Sequence, residues 1–78
     1  MPRYFFHVFN DETSIDDEGQ ELPDLEAARQ RATREARILM CETLKKGQIV
    51  LSHHIAVEDD QGTSVFDVKF GEAVQIKM

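Results

Sequence analysis

His7, His54 and Asp67 are the side chains of this chain whose types suit joint chemistry. Two imidazoles and a carboxylate can bind zinc, or act as an acid–base pair. They share a surface only if strands carry them on one face, so the argument depends on alternation. From His53 to Glu58, His53, Ile55 and Val57 alternate with His54, Ala56 and Glu58. From Ser64 to Phe70, Phe66, Val68 and Phe70 form one face and Val65, Asp67 and Lys69 the other. In the opening run Tyr4-Phe5-Phe6-His7-Val8-Phe9, Tyr4, Phe6 and Val8 share one face and Phe5, His7 and Phe9 the other. If Phe5, His7 and Phe9 point away from the core, His7, His54 and Asp67 meet on the far face. No ligand-spacing motif accompanies them, and half-exposed sheet positions account for the same residues. The expectation is that both histidines are structural, each ring a flat, partly polar filler.

Other candidates carry less. Placing Gly19 at the sixth position of a calcium-binding loop puts Ser14 first and Leu25 twelfth, where acidic ligands are required. The acidic stretch reads instead as a solvated loop. Pro2, as an N-terminal amine after methionine removal, is a residue that some tautomerases use as a base, but no catalytic arginine arrangement accompanies it. Cys41 has no histidine or acid partner near it in sequence and reads as a bystander.

The elements that position these residues are well marked. Strand one runs from Arg3 to Phe9, Asn10 to Gly19 is a polar connection, and Gln20-Glu21-Leu22 forms a short returning strand. Asp24 is the N-cap of a helix that ends at Lys45-Lys46, with Gly47 in the left-handed position beyond it. Leu25, Ala28, Ala32, Ala36, Leu39 and Met40 fall on one helical face, and the alanines let the axis lie close to a sheet. Ile49-Val50-Leu51 is an apolar link, Asp59-Asp60-Gln61-Gly62 a hairpin turn, and Glu72 to Met78 a helical turn or a last extended piece. The reading is a single α+β domain over 1–78, ββαββ, with an antiparallel or mixed sheet and one long helix packed on one face. Strand one is apolar on both faces, and one helix covers only one of them. A subunit, a partner, a ligand or the chain's own tail must cover the other.

The charge is uneven. The chain has 78 residues and a net charge of −6, yet residues 10–26 carry eight acidic side chains and no basic one. Residues 29–46 carry six Arg or Lys against two Glu. That distribution argues against nucleic-acid binding and for internal pairing or a complementary protein surface. On the outward helix face, Arg34, Ile38 and Cys41 follow at spacings of four and three and make a ridge suited to an acidic partner. One cysteine, no apparent signal peptide and no long apolar run point to a cytoplasmic, membrane-free setting.

Met1-Pro2-Arg3-Tyr4-Phe5-Phe6-His7-Val8, followed by Asp16-Asp17-Glu18-Gly19-Gln20-Glu21-Leu22-Pro23-Asp24-Leu25-Glu26-Ala27-Ala28-Arg29, resembles a family of short bacterial proteins of unknown function. The resemblance implies a bacterial origin and a small α+β domain, and brings no catalytic residues. A looser architectural likeness is to HicB-type antitoxin domains, whose strand pair leads through Pro-Asp-Leu into an Ala-rich helix, as Leu22-Pro23-Asp24-Leu25 does here.

The expected function is a small intracellular protein-interaction domain, homodimeric and without enzymatic activity or cofactor. Its expected interface is Phe5, His7 and Phe9, with Arg34 and Ile38 on the helix. The alternatives are an antitoxin-like or regulatory partner of another protein, and a metal-dependent or general-base enzyme using His7 and His54.

Overall fold

The computed structural model describes residues 2–75 and 77. Its elements are β1 (Arg3–Phe9), β2 (Thr13–Ser14), β3 (Gln20–Glu21), α1 (Leu25–Leu44), β4 (His54–Glu58), β5 (Ser64–Lys69) and a 3-10 turn, Phe70–Glu72. All strand pairs are antiparallel, so the α+β, ββαββ reading holds with one long helix on the sheet. The sheet order is β2-β1-β4-β5, with β3 also on β1. Thr13–Ser14 was expected to be plain connection; its pairing with Val8 and Phe9 makes it a short edge strand. The expected final piece from Glu72 begins earlier, at Phe70, and its Ile76 and Met78 lie outside the described residues.

The helix is set by its ends and its small face. Asp24 accepts a hydrogen bond from the Ala27 N–H at 2.8 Å, which satisfies one otherwise unpaired donor of the first turn. At the other end Gly47, at φ 82°, donates to the Leu44 carbonyl, and Gln48 donates to Thr43, the paired bonds of a Schellman motif. Ala28, Ala32 and Ala36 are fully buried, so the helix lies close on β4 and β5. Leu25, expected on that face, is exposed at the first turn.

Tyr4, Phe6, Ile55, Val57, Val68 and Phe70 are buried in the core shared with those alanines and Met40. That resolves the choice for β1: Tyr4, Phe6 and Val8 meet the helix side, and Phe5, His7 and Phe9 lie on the far face. Each large apolar side chain so buried contributes about 1.5–3 kcal/mol.

Three arginines of α1 are engaged within the domain. Arg29 lies over the Phe66 ring at 4.7 Å, Arg31 approaches Glu35 at 3.6 Å, and Arg37 donates to the Ala73 carbonyl at 2.6 Å. Among the described residues no cation of the helix pairs with a carboxylate of the acidic stretch 10–26. Those acids meet Arg3, through Glu21, and His53, through Asp11.

Candidate functional site

The registers of β1, β4 and β5 arrange the far face in three rows. Phe9, His54 and Lys69 form one, His7, Ala56 and Asp67 the next, and Phe5, Glu58 and Ser64 the third. Ala56, the smallest of these side chains, sits at the centre. The register slips by one residue beside Glu58, a β-bulge. This corrects the expected alternation: Val65 packs against the core instead of the far face, and Ser64 takes the place beside Glu58.

Two diagonal histidine–carboxylate pairs flank Ala56. His7 is buried and its Nε2 meets Glu58 Oε1. Its Nδ1 accepts the backbone N–H of Asp16 at 3.1 Å. Because Nδ1 is an acceptor, the neutral ring carries its proton on Nε2 and donates it to Glu58. Neither nitrogen is left for a substrate or a metal in this arrangement. His54 stacks on Phe9, with ring centroids 4.9 Å apart and planes 17° apart, and its Nε2 lies 3.9 Å from Asp67. The suggested set of His7, His54 and Asp67 therefore does not converge: His7 turns to Glu58, and among the described residues no three His, Cys, Asp or Glu side chains form a metal-holding group.

Asp16 organises this corner. Its Oδ2 accepts from the Phe6 N–H at 3.1 Å, and its Oδ1 accepts from Glu18 and Gly19 at 3.1 and 3.0 Å. Burial pushes its pKa up, but hydrogen bonds from Gly19, Phe6 and Glu18, with the nearby His7 ring, outweigh this together and hold it below the ordinary carboxylate value. Gly19, at φ 73°, lies so close to Phe5 that a Cβ there would meet Cε2 at 2.9 Å. The chain's own 16–19 connection thus covers Phe5 and His7.

What stays open is the Phe9 side. A concavity of about 350 Å³ is lined by His7, Phe9, Ile15, Ala56, Glu58 and Ser64. Ile15 at its rim is 63% exposed, the most exposed large apolar residue described. The family model described as a domain of unknown function (DUF6894) matches residues 3–71, nearly all of the elements that build this face.

The chain belongs to the DUF6894 family. The match agrees with the resemblance to a family of unknown function. No curated protein and no solved structure matches the chain. Membership covers β1 through most of the 3-10 turn, so the Asp16 corner, the histidine pairs and the concavity all lie within the DUF6894 span. No helix of the described residues is long and apolar enough to cross a membrane.

Sequence reasoning grouped Phe5, His7 and Phe9 on one face of β1 without deciding whether that face meets the helix, and it missed Ile15, Ser64 and the role of Asp16. An Asp three residues before a Gly is a turn signal; that its carboxylate reaches back to β1 depends on the fold. Arg34 and Ile38 are exposed on the outward side of α1, as expected, and so is Cys41. Pro2 is exposed, and its carbonyl accepts the Leu22 N–H.

Proposed function

We propose that this domain is a non-enzymatic protein-interaction module that pairs with a second copy of itself through the sheet face opposite α1. The open apolar concavity between Phe9, Ile15 and Ala56 carries this reading. An apolar surface of this kind on a small domain marks an interaction site. A domain of this size buries only about 60% of its unfolded surface, so a partner adds materially to its stability.

The sheet edges support a face and not an edge as the contact. On the β1 edge, Asp16 holds the Phe6 N–H between β2 and β3. On the β5 edge, Glu72 accepts the Lys69 N–H at 3.0 Å. Carboxylates bound in this way block strand addition. The engagement of both His7 nitrogens likewise supports a structural role over a general-base one. The contact then centres on Phe9 and Ile15, with Phe5 and His7 supporting it from beneath the 15–19 connection.

Sedimentation velocity tests the reading. The wild type is expected to dimerise in the micromolar range, and Phe9→Ser or Ile15→Ser to yield folded monomers. A monodisperse wild-type monomer at high micromolar concentration overturns it.

A regulatory or antitoxin-like partner is the second reading, supported by the helix ridge. Ile38 is 47% exposed, and Arg34 has no acidic partner among the described residues. An acidic, apolar segment of another protein suits that ridge. Arg34→Glu would then abolish capture of that partner and leave self-association unchanged.

A further inference from the structure

We propose that the concavity binds a small organic cation, an amine whose ammonium meets Glu58 and whose aromatic body lies over Ala56 against Phe9. Every group of this site comes from one chain, so the inference goes beyond the self-association reading and does not depend on it. A concavity of about 350 Å³ with apolar walls and few polar groups has the form of a small-molecule site. Its polar groups gather at one end. There the Glu58 side chain is 34% exposed, with one carboxylate oxygen on His7. The neutral His7 ring leaves the carboxylate its charge, and among the described residues no Lys or Arg lies within ion-pair distance of it. The bulge sets the exposed Ser64 beside Glu58, where strict alternation would put Val65.

Position along the strands decides which end takes which part of the ligand. Glu58 lies two residues beyond Ala56 on β4, and Phe9 pairs with His54, two residues before it. The acidic and aromatic ends therefore stand roughly 7 Å to either side of the Ala56 floor. Phe9 is stacked on His54, so its ring offers a fixed apolar surface, and Ile15 adds an apolar wall at the rim. Lys69 stands in the Phe9 row and repels a cation from that end. Asp67 sits beside Ala56 on β5 and adds negative potential from the flank. The charge around the concavity thus favours a cation over an anion. Its apolar walls favour an organic cation over a metal ion, for which no three ligands converge among the described residues.

The test titrates dilute full-length protein with 2-phenylethylamine, followed by amide nitrogen–proton spectra, with 2-phenylethanol as the neutral counterpart. Saturable shifts centred on Phe9, Ala56 and Glu58 are expected, with affinity for the amine roughly tenfold or more above that for the alcohol. Glu58→Gln keeps an oxygen for His7 and should remove that preference. Ala56→Leu fills the floor and should abolish binding; circular dichroism checks that both variants fold. Shifts that do not saturate, or equal wild-type affinity for amine and alcohol, overturn the inference. Sedimentation velocity on the same protein keeps the two readings apart. A protein that dimerises on concentration but binds no amine when dilute overturns this inference alone. One that binds the amine and stays monomeric at high micromolar concentration overturns self-association alone.

Discussion

The carboxylate of Asp16 lies 3.1 Å from the backbone nitrogen of Phe6, in the gap between two short strands that pair with opposite ends of β1. A side chain here does the work of a missing edge-strand residue. It satisfies a backbone donor that β2 and β3 leave unpaired, and it joins the edge to His7 through its own N–H.

Replacing Asp16 by Asn should lower stability by about 2–3 kcal/mol near neutral pH, since charge-assisted bonds to backbone donors are lost. The folded pKa lies below the ordinary value, so this contribution is present above the unfolded carboxylate pKa and is lost as pH falls through the folded one. The gap between wild type and variant should therefore narrow in acid. Urea denaturation at neutral and strongly acidic pH checks this; a gap that stays constant would remove the charge from the argument.

His7 should be a fixed tautomer, with its proton on Nε2. Long-range nitrogen–proton correlation spectra of the neutral ring should show the proton on Nε2 and none on Nδ1. Replacing His7 by Phe strands the Asp16 N–H and one Glu58 oxygen and should cost about 2 kcal/mol. The double change His7→Gln and His54→Gln should cost about 1–2 kcal/mol and leave oligomeric state largely intact. Stoichiometric, tight zinc binding lost in that double variant would restore the metal reading.

Ala32→Leu should destabilise the fold by about 1–3 kcal/mol or more, because the alanine is fully buried between α1 and the sheet. Thermal melts followed by circular dichroism measure it. A neutral result would mean that the helix stands further from the sheet.

Two glycines should respond differently to alanine. At Gly47, with φ 82° and open space around it, the cost is conformational, about 1 kcal/mol. At Gly19 the same change adds a clash with Phe5 and Arg3 and should cost more. Equal losses in denaturant titrations would argue that the 16–19 turn is not packed on Phe5.

Glu72→Ala should free the Lys69 N–H on the β5 edge and increase concentration-dependent aggregation, with little change in the melting midpoint. Light scattering against concentration reads this directly.

Much of this molecule was legible in local patterns. The limits of β1, the Asp24 cap, the Gly47 exit and the alanine stripe each depend on neighbours within a few residues, and the structure keeps all of them. The ββαββ order follows from those elements, whereas the sequence left the sheet antiparallel or mixed and the structure makes every pair antiparallel. What stayed out of reach arises where distant segments meet. Alternation alone could not choose which face of β1 takes the helix, since Tyr4, Phe6 and Val8 are as apolar as Phe5 and Phe9. The choice comes from the collective packing of β4, β5 and the alanines against one side.

The bulge beside Glu58 exchanged Ser64 for Val65, because a one-residue slip reverses which side chains share a face. His7 found Glu58 and Asp16 instead of His54 and Asp67, because partner choice is decided by strand register and by a loop folding back. The sequence by itself determined the long elements, the ends of β1 and α1, and the existence of a second apolar face. Only the tertiary structure decided what covers that face and what leaves Phe9 and Ile15 open. Periodicity is a property of one strand, whereas a site needs several strands held in one register.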